Sequence, residues 1–306
     1  YADLYNRFAS YCRGNLYRIA GGPNVDDYNW MEVLMKKTTR HRNLVQGISL
    51  HNYTLTHGWN DKGSATDFDE NDWISTLSNT LRMETLIKQH SSIMDRYDPE
   101  KRIGLIVDEW GNWFNVEPET NPGFLYQQNT LRDALVAGIN LNLFNNHADR
   151  VKMANIAQTV NVLQSVILTK EEEMVLTPTY YVFKMYRVHQ DARMIPVNLE
   201  TGSYTFNGKS VPAVNASASL KEGVVSITLC NLNPNKPEQL DLSVTGMNLS
   251  TASGQIVTAE KMNDFNDFGK EEKVSLKTFP VKNPKNGKLS LELPAKSVVL
   301  IRLEQD

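Results

Sequence analysis

The hydrophobic pattern changes character once along the chain, near residue 192, and this change constrains the fold more than any other feature. Before it, short apolar runs alternate with stretches of helical spacing. Residues 16–20, 44–50, 103–107 and 151–156 read as strands. Residues 27–40, 72–97, 128–140, 158–168 and 180–188 carry the three-to-four-residue spacing of helices. Strand, helix, strand in repetition implies a parallel sheet with crossover helices. The strand cores are continuous apolar runs, as expected when both sheet faces are covered. Four strand–helix units are present where a closed barrel needs eight. Residues 1–192 are therefore expected to form the C-terminal half of a (β/α)8 barrel.

After the change, residues 224–229, 240–244, 289–293 and 297–303 show period-two alternation or β-branched runs, separated by Asn, Gly and Pro clusters at 231–235 and 283–287. Short strands at this spacing predict an antiparallel β-sandwich over residues 193–306.

The formal charge is −3, which gives no electrostatic reason to expect nucleic acid or an anionic membrane as partner. No apolar run approaches the length of about 18 residues that spans a bilayer. Residues 1–8 read as the inside of an amphipathic helix with no leader-like features, so a preceding segment is expected; the compartment is left open. Cys12 and Cys230 are too few and too far apart for a disulfide framework or a zinc cluster. Two buried free thiols are expected.

Chemistry gathers just after the strands, as in barrels, where the C-terminal strand ends carry the active site. Asp108 and Glu109 end the strand at 103–107. Neighbouring residues on a regular strand point to opposite faces, so one carboxylate is expected to face a pocket and the other a supporting shell. Trp110 and Trp113 follow, and indole rings suit the C–H faces of sugars. The alternative for Glu109 is an acid paired with an Arg or capping a loop. His51 and Tyr53 share a strand face by period two and could reach a ligand or hydrogen-bond Glu109; alternatively they are satisfied within the barrel rim. Asn155 and Gln158 could bind sugar hydroxyls, or Asn155 could cap the helix expected at 158–168. Gly21-Gly22-Pro23-Asn24 lacks the spacing of phosphate loops and is read as a strand-to-helix turn. His57, Asp61, Asp67, Asp69 and Asp72 lie in a polar loop that does not match an EF-hand and reads as a solvated rim over the barrel mouth. Glu171, Glu172 and Glu173 read as a solvated face.

These residues occur in an order that resembles the α-L-arabinofuranosidases of glycoside hydrolase family 51. The resemblance rests on Tyr1-Ala2-Asp3-Leu4-Tyr5, Gly22-Pro23-Asn24 with Asp27-Tyr28-Asn29-Trp30, and Ser49-Leu50-His51-Asn52-Tyr53-Thr54. It continues through Asp108-Glu109-Trp110-Gly111-Asn112-Trp113, Met153-Ala154-Asn155-Ile156-Ala157-Gln158, Val160-Asn161-Val162-Leu163-Gln164, Leu176-Thr177-Pro178-Thr179-Tyr180 and Leu293-Pro294-Ala295-Lys296-Ser297-Val298.

The resemblance implies a (β/α)8 barrel with a β-sandwich and a retaining double displacement. Glu109 would be the nucleophile. His51 and Tyr53 would line the arabinose subsite, with Tyr53 orienting Glu109. Trp113 would pack against the sugar and Gln158 would bind a hydroxyl. No metal or organic cofactor is implied. The partners would be arabinofuranoside-containing oligosaccharides or polysaccharides, and self-association stays open because family members often form homo-oligomers. The family's acid/base glutamate lies in a Gly-Asn-Glu segment that is expected before Tyr1, with the first four barrel strands. A chain without it is expected to be nearly inactive, since acid/base assistance contributes about 10²–10⁴-fold. Two other readings remain: a different retaining barrel glycosidase, such as a β-xylosidase or endoglucanase, and a non-catalytic carbohydrate-binding protein.

Overall fold

The computed structural model describes residues 1–39, 44–285 and 287–305. Arg40, the expected end of the first long helix, and Asn286, in the late turn cluster, lie outside them. The chain divides into two compact units, one of residues 1–53, 82–110 and 147–157, the other of residues 54–81, 111–146 and 158–306. The boundary expected at 192/193 falls inside the second unit.

The first unit is built on α1 (Ala2–Ala9), β1 (Ile19–Ala20), α2 (Tyr28–Thr38), β2 (Gly47–Thr54), the later part of α3 (Glu70–Tyr97), β3 (Gly104–Asn112) and β4 (Val151–Ile156). Its sheet has the order β1-β2-β3-β4. β1 runs parallel to β2, and β3 runs parallel to β4. Gly47 to Leu50 and Gly104 to Val107 are buried without a break, as expected of strands covered on both faces. Asp27 starts α2 by accepting a hydrogen bond from the Trp30 backbone N–H. Met83, Leu86, Ile87, His90 and Met94 form the buried stripe of α3 in this unit.

The Gly21-Gly22-Pro23 turn is the expected strand-to-helix connection. A Cβ on Gly22 would fall 1.7 Å from the Ser49 carbonyl oxygen, so only glycine lets the turn lie against β2. At the start of β3, buried Arg150 bonds Asp98 Oδ2 at 3.0 Å and the Ile103 carbonyl at 2.8 Å, and also contacts Asp95. Its charge is paired and its donors largely occupied, which buried charges require.

The second unit contains α4 (Leu131–Asn146), the hairpin β5 (Ile167–Lys170) and β6 (Glu173–Leu176), and α5 (Pro178–Tyr186). β7 (Arg193–Ile195) and the hairpin β8 (Ser203–Phe206) and β9 (Lys209–Pro212) follow. The remaining strands are β10 (Val214–Lys221), β11 (Val224–Asn231), β12 (Glu238–Ser243), β13 (Thr251–Val257), β14 (Leu276–Thr278), β15 (Lys288–Leu293) and β16 (Ser297–Glu304). Six of them form an antiparallel sheet in the order β14-β13-β16-β11-β10-β7. β12 and β15 form a separate antiparallel pair. Leu289, Leu291 and Leu293 from that pair share one core with Val225, Ile227, Leu229, Val299 and Ile301 of the larger sheet.

The other face of the six-stranded sheet is polar, and α4 packs on it. Asn142 Oδ1 accepts hydrogen bonds from Ser217 (2.9 Å), Thr228 (2.7 Å) and Tyr186 (3.0 Å), while its amide donates to Asn215 Oδ1 at 2.8 Å. A Cβ on Gly138 would meet Cys230 Sγ at 2.7 Å, so glycine permits the close approach of helix to sheet. α4 opens with a reciprocal cap: Thr130 Oγ1 accepts from the Arg132 N–H, and Asp133 Oδ2 accepts from the Thr130 N–H.

Three expectations fail. Residues 158–168 are not a helix; they form turns that lead into the β5–β6 hairpin. Asn161 and Leu163 adopt φ of 60° and 53°, which a right-handed helix cannot accommodate. Cys12 is exposed, because α1 ends before it and the polar Arg13-Gly14 segment follows; only Cys230 is buried. Asp108 and Glu109 do not alternate faces, for a reason that belongs to the site itself.

Candidate active site

β3 continues past its apolar run through Asp108 and Glu109 to Asn112. Val107 pairs with Ala154 and Trp110 pairs with Ile156. Two residues of β3, Asp108 and Glu109, therefore stand opposite one residue of β4, Asn155. This is a β-bulge, which breaks strict alternation and re-aims side chains.

On the neighbouring strand, His51 and Tyr53 are the two half-buried residues of an otherwise buried β2, on one face. The Tyr53 hydroxyl donates to Glu109 Oε2 at 3.0 Å. His51 Nδ1 lies 3.6 Å from the same oxygen, and its Nε2 lies 3.1 Å from Asp108 Oδ1. One imidazole thus contacts both carboxylates. The Glu109 side chain is 45% exposed, which leaves it open to an approaching molecule.

Electrostatics follow from this packing. Burial, reinforced by the bond to Glu109, raises the Tyr53 hydroxyl well above its ordinary value, so it stays a donor at neutral pH. Burial also raises the Asp108 carboxyl; the neighbouring His51 opposes this, and the Glu109 charge adds to it.

Trp110 is fully buried and belongs to the core rather than to an exposed aromatic wall. Asn155 lies opposite the bulge and caps nothing, since no helix follows β4.

Trp113 and Gln158 belong to the second unit. Trp113 packs edge-on against Trp59, with ring centroids 5.5 Å apart, and Lys62 Nζ lies 5.7 Å from each ring centre. Trp59 is 60% exposed. A reading of residues 57–71 as polar loop passes over this ring, and the signal for it was a tryptophan following Gly58 where solvation alone needs none. Gln158 lines a cavity of about 870 Å³ with Phe124, Tyr126, Val162, Lys170 and Phe268.

In the acidic loop, His57 bridges Asp61 (3.2 Å) and Asp72 (2.8 Å). The hydrogen bond to Asp72 raises the histidine above its ordinary value, although partial burial opposes it. Hydrogen bonds from Asn115, the Gly63 N–H and His57 lower Asp61 to about 2. The carboxylates of Asp61, Asp69 and Asp72 are thus partnered by protein groups. Among the described residues no three His, Cys, Asp or Glu side chains are grouped to hold a metal ion, and no helix is long and apolar enough to cross a membrane.

Comparison with known proteins places this chain in a family. Residues 108–297 match the model of the α-L-arabinofuranosidase C-terminal domain. The chain is 47% identical to an intracellular exo-α-L-arabinofuranosidase of Bacteroides ovatus, across 99% of this chain and 60% of that protein. It superposes with a TM-score of 0.95 on the family 51 arabinofuranosidase of Xanthomonas axonopodis pv. citri, at 44% identity, covering 99% of this chain and 62% of that one. A family 51 enzyme from Bifidobacterium longum shares the fold at a TM-score of 0.80 and 22% identity. The chain therefore spans about 60% of the length of the relatives it matches. On the domain match and on these similarities, the chain belongs to glycoside hydrolase family 51, the family of the α-L-arabinofuranosidases.

Proposed function

We propose that this chain carries the nucleophile of a retaining glycoside hydrolase that releases terminal α-L-arabinofuranosyl residues from arabinan, arabinoxylan or arabino-oligosaccharides. One observation carries the reading: the half-exposed carboxylate of Glu109 is held by the Tyr53 hydroxyl at 3.0 Å at the end of a parallel strand. The family likeness supplies the sugar. The four-stranded sheet is read as the second half of a (β/α)8 barrel over residues 1–192, and residues 193–306 as the sandwich.

In this mechanism a Glu109 oxygen attacks the anomeric carbon as the glycosidic bond breaks, giving a glycosyl ester that water then hydrolyses. A second carboxyl group, about 5–5.5 Å from the first in retaining enzymes, protonates the leaving oxygen and later deprotonates the water. That group is assigned to no residue of this chain. Tyr53 fixes the direction of the Glu109 carboxylate and stabilises its charge between turnovers. His51 and Tyr53 line the sugar subsite. On the family likeness, Trp113 is assigned to pack against the sugar and Gln158 to bind a hydroxyl. No cofactor enters the scheme.

The test is Glu109→Ala in the complete enzyme, with the segment expected to supply the acid/base glutamate, assayed on nitrophenyl α-L-arabinofuranoside. Turnover should vanish, and added azide should restore it with release of a glycosyl azide of inverted anomeric configuration. Persistent turnover, or failure of azide to react, would remove Glu109 from the mechanism. Faster cleavage of nitrophenyl xyloside or of cello-oligosaccharides by the parent protein would favour another barrel glycosidase, and binding of arabino-oligosaccharides without any cleavage would favour a binding protein.

A further inference from the structure

The bulge turns two carboxylates, not one, toward His51. On a regular strand Asp108 would face away from Glu109. Here Asp108 Oδ1 lies 3.1 Å from Nε2 of the imidazole whose Nδ1 lies 3.6 Å from Glu109 Oε2. An ionised carboxylate can only accept, so its contact with Asp108 places a proton on Nε2 of the ring. A ring held at that corner cannot flip without giving up the contact. Its Nδ1 edge then lies 3.6 Å from the oxygen that Tyr53 also holds, a packing contact that limits where the carboxylate can swing rather than a hydrogen bond to it.

We propose that Asp108 is a positioning residue for the Glu109 site: it holds the His51 ring by Nε2, and the ring in turn confines Glu109 Oε2. Asp108 does not touch the reacting atoms in this scheme. The proposal rests on the reading of Glu109 as nucleophile, and it explains why a bulge sits at this step of β3. Without the extra residue, one of the two carboxylates would lose the imidazole.

A double-mutant cycle tests it in the active protein, with Asp108→Asn, His51→Ala and the combination. Asp108→Asn should lower kcat by about tenfold or more, as expected when an aspartate that orients an imidazole loses its charge. KM should stay within about threefold, and in the His51→Ala background the same change should cost nothing further. Asp108→Ala, which removes the acceptor outright, must follow the same pattern. A second readout needs no catalysis. The ring ¹⁵N shifts of His51 in the neutral form should report Nε2–H in the parent and a shift toward Nδ1–H in both Asp108 variants. An equal cost of Asp108→Asn with and without His51, or an unchanged tautomer, overturns the proposal. Should Glu109→Ala retain turnover, the nucleophile reading fails, while the tautomer still reports whether Asp108 holds the ring.

Discussion

Tyr53 and Glu109 lie on neighbouring strands, 56 residues apart in sequence, and share one hydrogen bond of 3.0 Å from hydroxyl to carboxylate. A hydrogen bond to a charged group contributes about 1.5–3 kcal/mol. Tyr53→Phe keeps the ring and removes the donor. It should lower kcat/KM on nitrophenyl arabinofuranoside by about 10- to 150-fold, the rate equivalent of that energy. The melting temperature should hardly move, because the carboxylate it leaves behind is half exposed to water. A rate within twofold of the parent would show that Tyr53 does not orient the nucleophile.

His189 gives the fold a pH dependence. Its ring sits between the Ser219 and Thr228 hydroxyls, at 2.7 and 3.1 Å, and burial lowers it to about 4. The unfolded residue takes up its proton near 6.5. Between the two values the unfolded chain binds more protons, so stability is full above about pH 6.5 and is lost as pH falls toward 4. The loss from this residue should reach up to about 3 kcal/mol. Denaturant unfolding at pH 7 and pH 4 measures it. His189→Gln should flatten the difference, and an unchanged difference would assign the effect to other groups.

The seam between α4 and the sheet hangs on Asn142. Asn142→Ala strands three hydroxyl donors, those of Ser217, Thr228 and Tyr186, in a buried site. Each stranded polar group costs about 1–3 kcal/mol, although rotation of the hydroxyls toward other acceptors lowers the sum. A loss of about 2–4 kcal/mol in urea unfolding is expected; less than 1 kcal/mol would mean the network re-forms around the gap.

The same seam sets thiol reactivity. Cys230 is fully buried beneath α4, and burial pushes its thiol up to about 12. Cys12 is exposed. A thiol reagent should label one site in the native protein and two after denaturation, and peptide mapping should place the native label on Cys12. Rapid native labelling of Cys230 would show that α4 opens readily.

Gly138→Ala tests how tightly helix and sheet meet. The added methyl would press on Cys230 Sγ at 2.7 Å. Overpacking of this kind costs about 1–3 kcal/mol, against a gain of up to about 1 kcal/mol in helix propensity. Net destabilisation is expected in denaturant unfolding. A neutral or stabilising outcome would show that the seam has slack.

Strands rich in β-branched residues were legible in the sequence: β2, β3, β11 and β16 all fall where apolar runs predict them. α2 was legible through the helical spacing that begins at Asp27. β10 was not, although Val214, Ala216, Ala218 and Leu220 alternate with Asn215, Ser217, Ser219 and Lys221; two of the four core-facing residues are alanines, which mute the hydrophobic signal, and the polar face meets α4. Residues 158–168 mimic helical spacing through Val160, Leu163 and Ile167, while positive φ at Asn161 and Leu163 makes the real path a series of turns. At the site, the approach of His51 and Tyr53 to Glu109 followed from shared strand parity. The place of Asp108 did not, since parity assigns it to the opposite face. An extra residue in one strand leaves no mark in a pattern of apolar and polar letters; it is visible only once the partner strand is counted against it.

That count has a consequence for how the site tolerates change. β3 and β4 fall out of step by one residue between Val107 and Trp110. A shift of the opposite sense sits between Leu105 and Ile106, where Lys152 is the extra residue of β4, so the two strands are back in step by Trp110. Removing Asp108 or Glu109 alone would leave the first shift uncompensated and carry the remaining carboxylate away from the imidazole. The site therefore depends on the length of both strands, and a one-residue deletion at this step should cost function more than a substitution does.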